Sequence, residues 1–176
     1  SVKELYFADF FFPSLETVII GNYDLSFPVY SKTATGFKEC KRIIEENGLL
    51  KALELEINKI QKLGIFHIRY DVTGSPVYMQ TQKELVIFRI IQEVLNNCIK
   101  HAEATAITLL LNYHSDFVEI ELSDNGKGFT PKSTTNTPGK GTRLMNIVKR
   151  AAFIEGSCQV NSFPGKGTAV HLKVPY

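Results

Sequence analysis

Apolar residues recur along this chain with two distinct periods, and the switching between them predicts most of its elements. Leu49, Leu50, Leu53, Ile57 and Ile60 return mostly at steps of three and four, so residues 49–63 read as an amphipathic helix. A shorter helix over 37–46 precedes it, and the Asn47-Gly48 pair breaks the two apart. Phe66, Ile68 and Tyr70 then alternate with His67 and Arg69, the pattern of a half-buried strand that ends at the Gly74-Ser75-Pro76 turn. The longest helical pattern runs from Thr81 to Ala102. Thr81, with Glu84 three residues on, has the spacing of a capping box. Leu85, Phe88, Ile91, Leu95, Cys98 and Ala102 form its inward stripe.

Two apolar-rich strands follow, 105–111 and 117–123, joined by a short polar turn as an antiparallel hairpin. Residues 124–141 are polar and glycine-rich and read as a loop. A helix over 142–154 comes next, then a second hairpin, 159–163 with 168–174, around Pro164-Gly165-Lys166-Gly167. Residues 1–36 are rich in Phe and Tyr and punctuated at Gly21-Asn22, Pro28 and Gly36, and read as short strands or irregular apolar segments that must pack on something. The expected fold class is α+β: a two-layer α/β sandwich with helices covering one face of a mixed, mostly antiparallel sheet.

Composition narrows the function classes. A chain of 176 residues, 44% hydrophobic and 22% charged, matches one ordinary globular domain and excludes a disordered, collagenous or coiled-coil protein. A net charge of +2 argues against a general nucleic-acid or membrane-surface role. Cys40, Cys98 and Cys158 are scattered with no C-x-x-C pair, which points to reduced thiols in a cytoplasm rather than to a disulfide or zinc framework. The apolar stretch from Phe7 to Val18 is interrupted by Asp9, Pro13 and Glu16, and no run approaches the roughly 18 residues of a spanning helix. Any membrane attachment is expected through a sensor region of a longer parent, outside this chain.

Three G-K-G triplets, Gly126–Gly128, Gly139–Gly141 and Gly165–Gly167, each fall at an element terminus. Any one reads as an ordinary turn with a solubilising lysine. Together they offer loops whose amides can approach an anion. None extends to G-x-G-x-x-G, because Pro131, Leu144 and Val170 stand at the last position, and no G-x-x-x-x-G-K-[ST] is present. Glu93 and Asn97 share a helix face one turn apart, a carboxylate and an amide oxygen suited to a hydrated magnesium ion that takes its other ligands from waters and phosphates. Glu93 is placed there to polarise a water or an incoming nucleophile. Asp124 ends a strand and opens an Asp-Asn-Gly turn, and an ionised carboxylate, which only accepts hydrogen bonds, suits the exocyclic amine of adenine.

Four segments, in order, carry a resemblance: Glu93-Val94-Leu95-Asn96-Asn97-Cys98-Ile99-Lys100-His101-Ala102, Asp124-Asn125-Gly126-Lys127-Gly128-Phe129, Gly141-Thr142-Arg143-Leu144-Met145-Asn146-Ile147 and Pro164-Gly165-Lys166-Gly167-Thr168. These resemble the N, G1, G2 and glycine-threonine boxes of the GHKL ATPase superfamily, most closely the ATP-binding catalytic domain of two-component sensor histidine kinases. Gly48-Leu49-Leu50-Lys51-Ala52-Leu53 and Arg89-Ile90-Ile91-Gln92-Glu93 look like the nitrate- and membrane-fluidity-sensing subgroup. The resemblance spans about residues 47–175. It implies a Bergerat-type ATP-binding fold over 47–176, with residues 1–46 left as a linker from, or remnant of, a dimerisation or sensor region.

The resemblance further implies that Asn97 binds Mg2+ and that Glu93 sits beside the reacting phosphate, reaching the metal through water. Lys100 and His101 would lie near the phosphates of ATP, and Asp124 would bind the adenine amine. Gly126 and Gly128 would shape the base pocket, and Gly139 and Gly141 would end a lid over 130–138. Thr142, Arg143 and Leu144 would follow on the phosphate side, and Thr168 would support the adenine. Arg143 departs from the subgroup, which has glycine there; it either strains the loop or clamps phosphate through its guanidinium. The implied activity is transfer of the γ-phosphate to a histidine on a separate dimerisation domain, with a response regulator downstream and a homodimer in the full-length protein. None of His67, His101, His114 and His171 sits on a long upstream helix as an acceptor would. Two other readings stand beside it: a degenerate, non-catalytic nucleotide-binding or interaction module, and an anti-sigma-factor serine kinase.

Overall fold

The computed structural model describes residues 34–62, 64, 66–130 and 142–176. Five strands form one sheet in the order β1-β2-β3-β5-β4. They are β1 (His67–Thr73), β2 (Ala106–Tyr113), β3 (Phe117–Asp124), β4 (Ser157–Ser162) and β5 (Thr168–Pro175). β1 runs parallel to β2, joined by a helical crossover, and every other pair is antiparallel. Three α-helices, α1 (Ala34–Gln61), α2 (Thr81–Asn97) and α3 (Thr142–Phe153), and a π-helical turn (Cys98–Ala102) complete the described elements. Both predicted hairpins and the mixed, mostly antiparallel sheet are present. Of residues 1–36, read as short strands or irregular segments, 1–33 lie outside the described residues, and 34–36 instead form the start of α1, three residues before the predicted helix.

Period-two alternation explains the two layers. Ile68, Leu109, Leu111, Ile120, Leu122, Val170 and Leu172 point into the core, while Arg69, Asn112, Glu119, His171 and Lys173 face outward. One sheet face is therefore packed and the other polar. α1 bends where expected: Gly48 has φ 77 and ψ 176, outside helical space, so the helix is two segments meeting at Asn47-Gly48. The break exposes the Leu49 N–H, and the buried carboxylate of Glu84 accepts it together with the Met79 N–H at 3.1 Å. Burial pushes the Glu84 carboxyl above its usual range, and those two amides oppose the rise. Glu84 therefore braces the kink, which replaces the capping box expected with Thr81. Thr81 is already the first helical residue, and Gln80 before it makes no side-chain cap.

α2 is buried on more sides than its predicted stripe. Val86, Ile87, Ile90 and Val94 are as hidden as Leu85, Phe88, Ile91 and Leu95, because α1 and α3 flank the helix above the sheet. Polar residues enter this layer only as a connected set. Arg89 donates to Gln92 at 2.7 Å, and Gln92 donates to Glu56 of α1 at 3.0 Å, all three buried. The helix does not continue as a regular α-helix to Ala102. Residues Cys98–Ala102 form a π-helical turn that ends at Glu103 in the left-handed region. Such turns are rare and concentrate at functional sites.

Candidate functional site

The ends of three neighbouring strands assemble one half of the site. Asp124 pairs with Thr168 across β3 and β5, and Thr168 pairs with Ser162 across β5 and β4. Cross-strand partners share a face, so all three side chains project on the helix-covered side. Asp124 is only 9% exposed. Its Oδ1 accepts the Gly126 N–H at 2.8 Å, and the Cys98 thiol donates to Oδ2 at 3.5 Å. Burial and the neighbouring carboxylate push the Cys98 thiol far above its ordinary value, so it stays a protonated donor. Both oxygens of Asp124 are thus gripped from the protein side.

The turn after Asp124 is tied down residue by residue. Asn125 Oδ1 accepts the N–H groups of Thr105 and Ala106, each at 2.9 Å, and its amide donates to the Thr105 hydroxyl. Lys127 N–H reaches the Ala102 carbonyl at 2.7 Å, which fastens the turn to the π-helical end of α2. Gly126 packs so tightly there that a Cβ would overlap the Ala102 carbonyl. Gly128 follows, and Phe129 N–H donates to Ser162 Oγ at 2.9 Å. Ser162, 2% exposed, also donates to the Gly167 carbonyl and lies 3.0 Å from Thr168 Oγ1.

The other half of the site is the C-terminal end of α2. Glu93 and Asn97 lie one turn apart, both half-buried, and Lys100 and His101 stand exposed on the π-helical turn. That extra-wide turn rotates Lys100 and His101 away from where a continuous α-helix puts them. Glu93 carries an ion pair with Arg150 of α3 at 3.7 Å, the two side chains 13% and 11% exposed. Burial holds the Arg150 guanidinium below its usual value, partly offset by Glu93. Gly139, Gly141 and the expected lid lie outside the described residues, as do the side chains of Thr142, Arg143 and Leu144. Among the described residues, no three His, Cys, Asp or Glu side chains cluster to hold a metal.

A family model described as "Histidine kinase-, DNA gyrase B-, and HSP90-like ATPase" matches residues 82–176, from the start of α2 through β5. The chain belongs to this ATPase family. The signal transduction histidine-protein kinase/phosphatase DegS of Bacillus subtilis (strain 168) is 36% identical over 94 residues, 53% of this chain and 24% of that protein. The sensor histidine kinase LiaS of the same strain is 30% identical over 132 residues, covering 75% of this chain and 35% of LiaS. The chain thus spans about a quarter to a third of the length of these relatives. The histidine kinase domain of the Erythrobacter litoralis EL346 blue-light activated kinase superposes with TM-score 0.55 at 22% identity, covering 73% of this chain and 59% of that one. At that identity the likeness is one of fold.

Within this family member, Cys98, Asn125, Arg150 and Ser162 are the site residues that sequence reasoning missed. An Asp-Asn-Gly turn does announce Asn125, because Asx side chains bond backbone nearby. Arg150 carries no local signal, since only the packing of α3 on α2 brings it to Glu93. Arg150→Met is expected to cost about 2–3 kcal/mol in urea unfolding, because it removes the cation of a largely buried ion pair with Glu93; Arg150→Lys is expected to lose less. Equal losses in the two variants would show that packing, not the charge pair, holds Arg150.

Proposed function

We propose that this chain is the ATP-binding catalytic domain of a sensor histidine kinase. The observation that carries the reading is Asp124: a nearly buried carboxylate at a strand end, fixed from behind by Gly126 N–H and the Cys98 thiol, beside a helix end bearing Glu93 and Asn97. Asp124 accepts a hydrogen bond from the adenine amine, with Thr168 at its side. Gly126 and Gly128 keep the turn close to the base. The resemblance assigns Gly139 and Gly141 to the end of a lid, and Thr142, Arg143 and Leu144 begin the helix whose N-terminal amides face the phosphates. Lys100 and His101 contribute donors at the same end.

Magnesium fits the donor set, since Asn97 and, through water, Glu93 offer oxygen ligands and leave most positions to water and phosphate. When bound it neutralises phosphate charge. Glu93, held by Arg150, orients the incoming imidazole, and phosphoryl transfer then proceeds mainly by positioning. The acceptor histidine belongs to a separate dimerisation domain: the chain's four histidines lie on strands, on a hairpin turn and on the π-helical turn. A response regulator as next acceptor, a homodimeric full-length protein, a cytoplasmic setting and a catalytic unit starting at residue 47 complete the proposal. The names of the relatives support it over the non-catalytic module and the serine kinase.

Asn97→Ala is expected to remove the magnesium-dependent part of ATP affinity, a loss of about tenfold or more if the ion contributes at least one charge-assisted contact. Calorimetric titration with and without magnesium measures it. Affinity that still rises with magnesium in this variant would defeat the metal assignment.

A further inference from the structure

Ser162 stands at a junction whose hydrogen-bond accounting has one solution. A serine hydroxyl has one proton and two acceptor lone pairs. Ser162 Oγ has three partners: Phe129 N–H at 2.9 Å, the Gly167 carbonyl at 3.0 Å and Thr168 Oγ1 at 3.0 Å. The amide can only donate and the carbonyl can only accept. One lone pair is therefore used by Phe129, and the single proton goes to Gly167. The contact with Thr168 can then be filled only by the Thr168 proton, donated to the second lone pair of Ser162.

The consequence falls on the side of Thr168 away from Ser162. With its proton committed, the Thr168 hydroxyl presents only lone pairs there. Its register partner Asp124 also presents only acceptors. We infer that Ser162 is a positioning residue that fixes the Thr168 hydroxyl as an acceptor, so that this strand end selects a purine carrying an exocyclic amine and rejects one carrying a carbonyl at that position. This inference rests on the proposed ATP site and assigns part of its base specificity to a side chain that does not touch the base. Unsatisfied buried polar groups are what make such selection strong.

The test compares ATP with inosine triphosphate, which replaces the 6-amine by a carbonyl, in calorimetric titrations of the whole chain. Ser162→Ala frees the Thr168 hydroxyl to turn and donate. The ratio of ATP to inosine triphosphate affinity is expected to fall about fivefold, one ordinary hydrogen bond's worth, with inosine triphosphate gaining relative to ATP. In a Thr168→Val background the same substitution is expected to leave the ratio unchanged, because the hydroxyl it acts through is gone. Thr168→Ser, which keeps that hydroxyl, retains the wild-type ratio. If Ser162→Ala melts below the assay temperature, Ser162→Cys is read in the same way with a smaller shift, since a thiol is a weaker partner.

A purely structural Ser162 would weaken both nucleotides alike and leave the ratio intact, which would overturn the inference alone. A wild-type chain that binds neither triphosphate would overturn the ATP site itself and the inference with it.

Discussion

Asp124→Asn is expected to lower ATP affinity by about a hundredfold while leaving the fold in place. The asparagine oxygen can still accept the Gly126 N–H, so the amide nitrogen takes the place of Oδ2. There it meets the Cys98 thiol, a committed donor, and faces the adenine amine with two more donors. The loss of a charge-assisted bond, about 1.5–3 kcal/mol, is compounded by a donor turned against a donor in a nearly dry position. Calorimetry reads the affinity and a thermal melt reads the fold. Wild-type affinity in a folded Asp124→Asn chain would remove Asp124 from base recognition.

Gly167→Ala is expected to be the most damaging single methyl in the described site. Gly167 has φ 73, and an added Cβ would overlap the carbonyl oxygen of Asp124 and approach Asn125 Cα to 3.2 Å. Backbone cannot swing aside as a flexible side chain can, so the strand ends that align Asp124 with Thr168 must separate. A cost of about 3–4 kcal/mol is expected, against total stabilities of about 5–15 kcal/mol for small domains. Gly165 is the matched control: its φ is 75 and a Cβ there meets nothing within 4 Å. Gly165→Ala is expected to cost about 1 kcal/mol, the conformational part alone. Urea unfolding of the two variants separates the contributions, and equal costs would show that crowding against Asp124 is unimportant.

The contrast between those glycines marks where sequence reasoning stops. Both belong to the same G-K-G triplet and look alike in the sequence, yet only one is wedged against backbone. Strand and helix identities were legible because burial imposes a period, as at Ile68 and Tyr70 in β1 or Leu53 and Ile57 in α1. The break at Gly48 was legible because Asn-Gly cannot continue a helix comfortably. The π-helical turn at Cys98–Ala102 was not, since apolar Cys98 and Ala102 keep helical spacing whether or not the turn widens. Glu84 was misread as a partner for Thr81 because local spacing says nothing of the Leu49 amide opened by the kink.

In the candidate site, the roles proposed for Asp124 and for the Glu93–Asn97 pair rest on side-chain chemistry and a one-turn spacing, both of which are present in the sequence itself. Their supports are not. Cys98 is a core position, as its place in the inward stripe predicts, but its contact with Asp124 has no local signal. Ser162 looked like the end of an ordinary strand, and only the β4–β5 register puts it against Thr168. Arg150 reached Glu93 through helix packing that no periodicity encodes. Residues that touch a ligand are constrained by its chemistry, whereas residues that hold them are constrained by a three-dimensional arrangement.

Titration of the wild-type chain with ATP, in the presence and absence of magnesium and with GTP as the control, tests the central claim most directly. ATP affinity that rises with magnesium and exceeds that for GTP by about tenfold or more is the predicted result, as expected where an acceptor-only strand end meets an amine rather than a carbonyl. Equal affinity for the two nucleotides, or no binding of ATP at millimolar concentration with magnesium present, would contradict it.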